Sequence, residues 1–146
     1  MKQFLLVLVM LGLGLPACVG SGEGKEDGQL MEGTWLPVEA ELAGAKFPDE
    51  ILKTMKLTMK EDQYTVTVGG KIDRGTFKLE STANPRSIDI TGTDGPNRGK
   101  TLLAIYEISD DTLRVCYDLA GKKRPAEFKT EKETKQYLVK YKREKN

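Results

Sequence analysis

The chain contains no histidine, and that absence removes much of the catalytic repertoire. No Ser-His-Asp or Cys-His pair can form, histidine-based zinc sites are excluded, and two separated cysteines, Cys18 and Cys116, do not make a zinc cluster. Carboxylate, tyrosine and thiol chemistry remain. Glu39 and Glu41 alternate with apolar neighbours, and two carboxylates close together can split their pKa values and serve as acid and base. Opposite Leu36, Val38, Ala40 and Leu42, they read as a solvated outer strand face. Asp94–Gly99 (DGPNRG) places Pro96 and Arg98 where a calcium loop needs acidic or amide ligands, so it reads as a surface turn. Asp110-Asp111 reads as turn chemistry. Gly20, Gly22 and Gly24 have no strand before them and no helix after them, so they do not form a phosphate loop. A reactive Cys116 would need a nearby base or cation. Arg114 and Asp118 would share its face, and the residue reads as a small packed strand side chain. These residues give no catalytic constellation, no metal site and no cofactor, and the chain is not expected to be an enzyme.

Cys18 has a different context. Lys2 is followed by an apolar run from Phe4 to Leu15 and then by Pro16-Ala17-Cys18. A positive start and an h-region of about 7–15 residues make a secretory signal, and the run falls short of the roughly 20 apolar residues that span a bilayer. The segment resembles a bacterial lipoprotein signal. The resemblance implies a signal peptide over residues 1–17 and a diacylglycerol on the Cys18 thiol, which would become the new N-terminus. Leu15 and Ala17 fit that pattern. Stable anchoring takes more than one acyl chain, and a di- or triacylated Cys18 meets the condition. The protein is then a membrane-anchored lipoprotein of the cell envelope or periplasm. Ordinary cleavage after Ala17, giving a soluble secreted protein, is the alternative, and an uncleaved anchor is a third possibility. With Cys18 acylated, Cys116 has no intramolecular disulfide partner.

Lys2 is the sole charged residue of the signal, so 22 of the 23 basic residues remain against 22 acidic ones. This balance, with no basic–aromatic stripe, does not point to nucleic acid. The basic tail from Lys129 to Lys145 is interleaved with glutamates and reads as a solvated face. Val19–Gly28 (VGSGEGKEDG) cannot build a core, and residues 18–32 read as a flexible tether ahead of one domain over 33–146.

Within that domain short strands dominate: Thr34–Leu42, Lys56–Lys60, Tyr64–Val68, Ile72–Leu79, Ser87–Thr91, Thr101–Ile108, Leu113–Tyr117 and Gln136–Lys142. Gly69-Gly70 marks a hairpin turn, and Gly75 a bulge. Period-two patterning with short turns predicts an all-β, eight-stranded antiparallel up-and-down barrel with one or two short helices. The helix candidates are Pro48–Met55, with acidic residues in its first turn, and Thr130–Glu133, which matches a capping box.

Gly33-Thr34-Trp35 at the start of the first strand resembles the lipocalins, whose tryptophan closes the bottom of the barrel. The span from Gly33 to about Arg143 resembles an uncharacterised lipocalin-like domain family of planctomycete-type bacteria. The residues that carry the likeness are Gly75-Thr76-Phe77, Ile88-Asp89-Ile90, Gly99-Lys100, Ile105-Tyr106, Leu113-Arg114-Val115-Cys116 and Arg124-Pro125-Ala126-Glu127-Phe128. The resemblance implies an exported lipocalin-like barrel and no known activity. True lipocalins carry a C-terminal helix, whereas here the basic Lys140–Asn146 end is expected to fray. Trp35, Phe77, Tyr106 and Tyr117 are the candidates to line a barrel cavity. Arg124 is a candidate to pack over Trp35 as a cation–π partner, or else a surface-loop arginine. The expected function is a monomeric binding module for a small apolar or amphipathic ligand, tethered to a membrane through Cys18. The alternative is a non-catalytic structural or protein-interaction domain with a filled barrel.

Overall fold

Apolar–polar alternation builds the strands of this chain, and the strands close on themselves. The computed structural model describes residues 23–145. Cys18 and the signal segment lie outside the described residues. Helix α1 (Glu23–Met31) precedes β1 (Gly33–Leu42), the two-residue β2 (Ala45–Lys46) and helix α2 (Asp49–Leu52). Then come β3 (Met55–Lys60), β4 (Gln63–Val68), β5 (Lys71–Glu80), β6 (Ser87–Asp94), β7 (Thr101–Ile108), β8 (Thr112–Asp118) and β9 (Gln136–Arg143).

Strand β1 pairs with β3, each later strand pairs with the next, and β9 returns to β1, all antiparallel. The expected eight-stranded up-and-down barrel is therefore the observed fold, with two short helices. β2 forms a small hairpin on the end of β1. The Gly69-Gly70 turn joins β4 to β5, both residues at positive φ (56° and 86°), the conformation that a two-residue hairpin requires.

Two features of β1 depart from the sequence reading. Trp35 and Pro37 face inward, and then Ala40 does. The register with β9 shifts between Pro37 and Glu39, so Val38 is the extra residue of a bulge. One inserted residue reverses the side-chain phase. Val38 is exposed and Leu36 only half-buried, while Glu39 and Glu41 stay on the outer face. The β5–β6 register also shifts, between Arg74 and Gly75.

The second helix forms where Pro48–Met55 was expected, and Leu52 anchors it in the core. Thr130–Glu133 does not form a helix. The Thr130 hydroxyl accepts from the Gly44 N–H and donates to Glu41, and Glu133 takes a positive φ of 63°. Thr130 thus bonds to β1 and its turn rather than capping a helix of its own.

The chain between 23 and 31, expected as tether, is helical, and Asp27 and Met31 are buried. At the other end β9 continues to Arg143, and the Glu144 N–H donates to the Thr34 carbonyl. The basic terminus is paired to this point instead of fraying.

The barrel has two unlike ends. At its base lie α1, the β3–β4, β5–β6 and β7–β8 turns, Trp35 and Arg143. At the opposite mouth lie β2, α2, the Gly69-Gly70 turn, the Asp94–Lys100 loop and the long β8–β9 connection. The interior face gathers Leu57, Met59, Phe77, Ile90, Val115 and Val139 into one apolar cluster.

Candidate functional site

The base is sealed by side chains that meet from the two ends of the sheet. Trp35 is fully buried, and its indole N–H donates to the Met31 carbonyl at 2.9 Å. The Cζ of Arg143 lies 4.2 Å from the Trp35 ring centre. The same guanidinium donates to the carbonyls of Leu30, Glu32 and Asp110. Helix α1 is held by Asp27, which accepts from the Tyr106 hydroxyl at 2.7 Å and from Arg86 at 3.3 Å. The cation over the tryptophan is therefore Arg143, not Arg124.

Arg124 works on the outer wall. It donates to the carbonyls of Ala104 and Ile88 and pairs with Asp89 at 2.6 Å. Phe128 lies under Arg114, 4.0 Å from Cζ to the ring centre. The Cys116 thiol faces the Lys129 carbonyl. The Arg124–Phe128 motif is thus a strap across the outside of β6, β7 and β8. Asp118 anchors its start. Burial works against the charged carboxylate, but N–H groups of Lys123, Lys122 and Ala120 bond to it, and the net effect holds its pKa below the ordinary value. Cys116 is fully buried, and burial pushes its thiol upward, which disfavours the nucleophilic thiolate.

Above the sealed base the interior is not filled. A cavity of about 270 Å³ runs toward the mouth, walled by side chains such as Leu57, Met59, Val66, Ile88 and Val115. A dry cavity of ~150 Å³ takes one benzene, so this one suits about ten non-hydrogen atoms. A groove of about 590 Å³ lies along β1, β8, β9 and α2, with Glu39, Glu41, Arg114 and Lys140 among its walls. It is larger and of mixed charge. The interior cavity has the apolar lining with a few polar groups that characterises small-molecule sites.

Polar groups converge on the cavity from β4, β5 and the Asp94–Lys100 loop. Asp73 accepts from the Tyr64 hydroxyl at 3.2 Å, from the Asn97 side chain at 3.0 Å and from the Asn97 backbone N–H at 3.2 Å. Gly75 makes room for this cluster, since a Cβ there would sit 2.0 Å from the Thr91 carbonyl oxygen and 2.8 Å from the Tyr64 hydroxyl. Burial and the neighbouring Asp73 charge raise the Tyr64 pKa, so its hydroxyl stays protonated. Across the cavity, Tyr117 stacks on Tyr137 at 5.5 Å, and Phe47 on Tyr137 at 5.7 Å. Burial raises the pKa values of Tyr117, Tyr137 and Tyr141 as well.

Of the four aromatics expected at the cavity, Phe77 and Tyr117 line it, while Trp35 and Tyr106 are packed in the floor. Asp73, Tyr64 and Asn97 are site residues that the sequence does not single out. Asp73 had a detectable signal: it shares the inward phase of Gly75, Phe77 and Leu79 on β5. Asn97 had none, because its placement depends on how a loop folds back over the strands. Among the described residues no group of three His, Cys, Asp or Glu side chains is placed to hold a metal ion, and no helix is long and apolar enough to cross a membrane.

Fold and site together define a closed eight-stranded antiparallel barrel with a sealed base and an apolar interior cavity. Compared with protein families, curated proteins and solved structures, the chain matches none.

Proposed function

We propose that this protein is an exported, lipid-anchored, non-catalytic binding module that holds a small apolar or amphipathic molecule inside its barrel. The observation that carries this reading is the apolar interior cavity of about 270 Å³. Its apolar walls favour transfer of a hydrocarbon chain from water at roughly 25 cal/mol per Å² buried, and its polar groups sit at one side, where a head group would go. The likeness to planctomycete-type lipocalin-like domains belongs to the same proposal. So do export and acylation at Cys18, which rest on Lys2, the Phe4–Leu15 run and the Leu15-Pro16-Ala17-Cys18 stretch. With the anchor upstream of α1, at the base, the mouth opens away from the attachment point. This suits a monomer that exchanges its ligand with the envelope space.

Calorimetric titration of the purified chain with a straight-chain alcohol of about ten carbons tests the reading. Saturable one-to-one binding with a negative heat-capacity change is expected. No binding of any apolar or amphipathic compound of that size, including material extracted from the host envelope, would overturn it.

A further inference from the structure

We infer that the cavity selects an amphiphile whose head group donates hydrogen bonds, an ammonium above all and then a hydroxyl, and that it discriminates against carboxylate heads. The inference rests on the ligand-binding reading above and adds head-group chemistry to it.

The charge inventory of the lining is one-sided. Among the described residues that wall the cavity, Asp73 is the only charged side chain, and no lysine or arginine is among them. Its inward position follows from strand phase, in step with Gly75 and Phe77 on β5. A carboxylate offers about four acceptor sites. Asp73 uses three, on the Tyr64 hydroxyl, the Asn97 side chain and the Asn97 N–H. Two of the three fall on Oδ2, so the open acceptor capacity lies on Oδ1. The three donors fix the carboxylate in place, so a ligand meets an ordered acceptor.

A buried charge needs a partner, and an ammonium entering the cavity meets one in Asp73. A hydroxyl donates to the same oxygen without bringing a charge. A fatty carboxylate brings a second anion toward the first, and no cation on the walls offsets the repulsion. The protonated hydroxyls of Tyr117, Tyr137 and Tyr141 across the cavity are neutral donors, not counter-ions. Like-charge juxtaposition of this kind is how a site rejects a competitor that otherwise fits.

The test is a three-compound panel of equal chain length, decylamine, 1-decanol and decanoate, each titrated at pH 7 below its micelle concentration into the purified full chain. Decylamine is expected to bind about tenfold tighter than decanoate or better, with decanol between them. Asp73→Asn, which keeps the size and much of the hydrogen bonding, should bring decylamine and decanoate within about threefold of each other and leave decanol nearly unchanged. Equal binding of all three by the wild-type chain overturns this inference and leaves the cavity reading standing. Failure of all three to bind overturns this inference, and with no binding from envelope extract either, the cavity reading as well. The wild-type panel decides the matter without a variant. If Asp73→Asn does not fold, Asn97→Ala, which keeps the carboxylate, should retain the amine preference, and its loss there counts against the proposal.

Discussion

The guanidinium of Arg143, near the end of the last strand, lies 4.2 Å from the centre of the Trp35 ring near the start of the first. β9 and β1 are paired by backbone hydrogen bonds along their length, and this contact caps that seam at the base. The same arginine ties α1 to the barrel through the Leu30 and Glu32 carbonyls. Arg143→Ala removes a cation–π contact and the charged hydrogen bonds together. It should lower unfolding stability by about 2–4 kcal/mol. Arg143→Lys should recover less than half of that, because an ammonium lacks the planar fork. Urea denaturation followed by Trp35 fluorescence measures both.

Asp27 and Tyr106 make a second attachment of α1, with the hydroxyl donating at 2.7 Å inside the base. Tyr106→Phe leaves a buried carboxylate with Arg86 as its one side-chain partner. A loss of about 2 kcal/mol is expected, concentrated in α1. Amide hydrogen exchange should speed up over residues 27–31 while β6 and β7 stay protected. Uniform acceleration across the barrel would show that α1 is no separate unit.

Val66 is half-buried on the cavity wall. Val66→Phe adds volume into empty space, so the overpacking cost of about 1–3 kcal/mol should be largely absent. Affinity for a straight-chain alcohol of about ten carbons is expected to fall by about tenfold or more, with little change in thermal midpoint. Unchanged affinity would place the ligand elsewhere, with the outer groove next in line.

All five tyrosines, Tyr64, Tyr106, Tyr117, Tyr137 and Tyr141, have pKa values raised above the ordinary value of 10.0, with burial the main cause. The fold favours the neutral phenol, so this contribution to stability is complete below the unfolded-state value, about 10. It is lost as pH climbs above that point toward the higher folded values. Absorbance at 295 nm should show no tyrosine ionising normally near pH 10, and phenolate should appear together with alkaline unfolding. A group titrating near 10 in the folded protein would locate a tyrosine open to water.

Tyr64–Val68 and Leu113–Tyr117 were plain as strands in the sequence, because period-two alternation is a local property that a half-buried sheet imposes on each segment. Local patterning likewise gave the Gly69-Gly70 turn and the proline-led start of α2. In the first half of β1 the inward phase is one residue off the apparent alternation. Leu36, Val38, Ala40 and Leu42 alternate on paper, but the bulge at Val38 turns Trp35 and Pro37 inward ahead of it. The α1 segment has the composition of a linker. Its helix is held by Asp27 and Met31 against β1, β5 and β7, and few apolar residues announce it. Arg143 stands in phase with Tyr137, Val139 and Tyr141, so its inward direction could have been read, though not its partner 108 residues away.

The sequence by itself determined that this is a barrel of short antiparallel strands, without histidine chemistry. Alternation, turn residues and composition act over a few positions, and they need no knowledge of what lies opposite. The tertiary structure alone decided which aromatics seal the base and which line the cavity. It also decided that Arg143 rather than Arg124 covers Trp35, and that Asp73 meets Tyr64 and Asn97. Those pairings depend on the register between strands, on a bulge that reverses one phase and on a loop folding back. Such relations arise only when distant segments close into one sheet, because the energy of each contact is shared between residues that the chain keeps far apart.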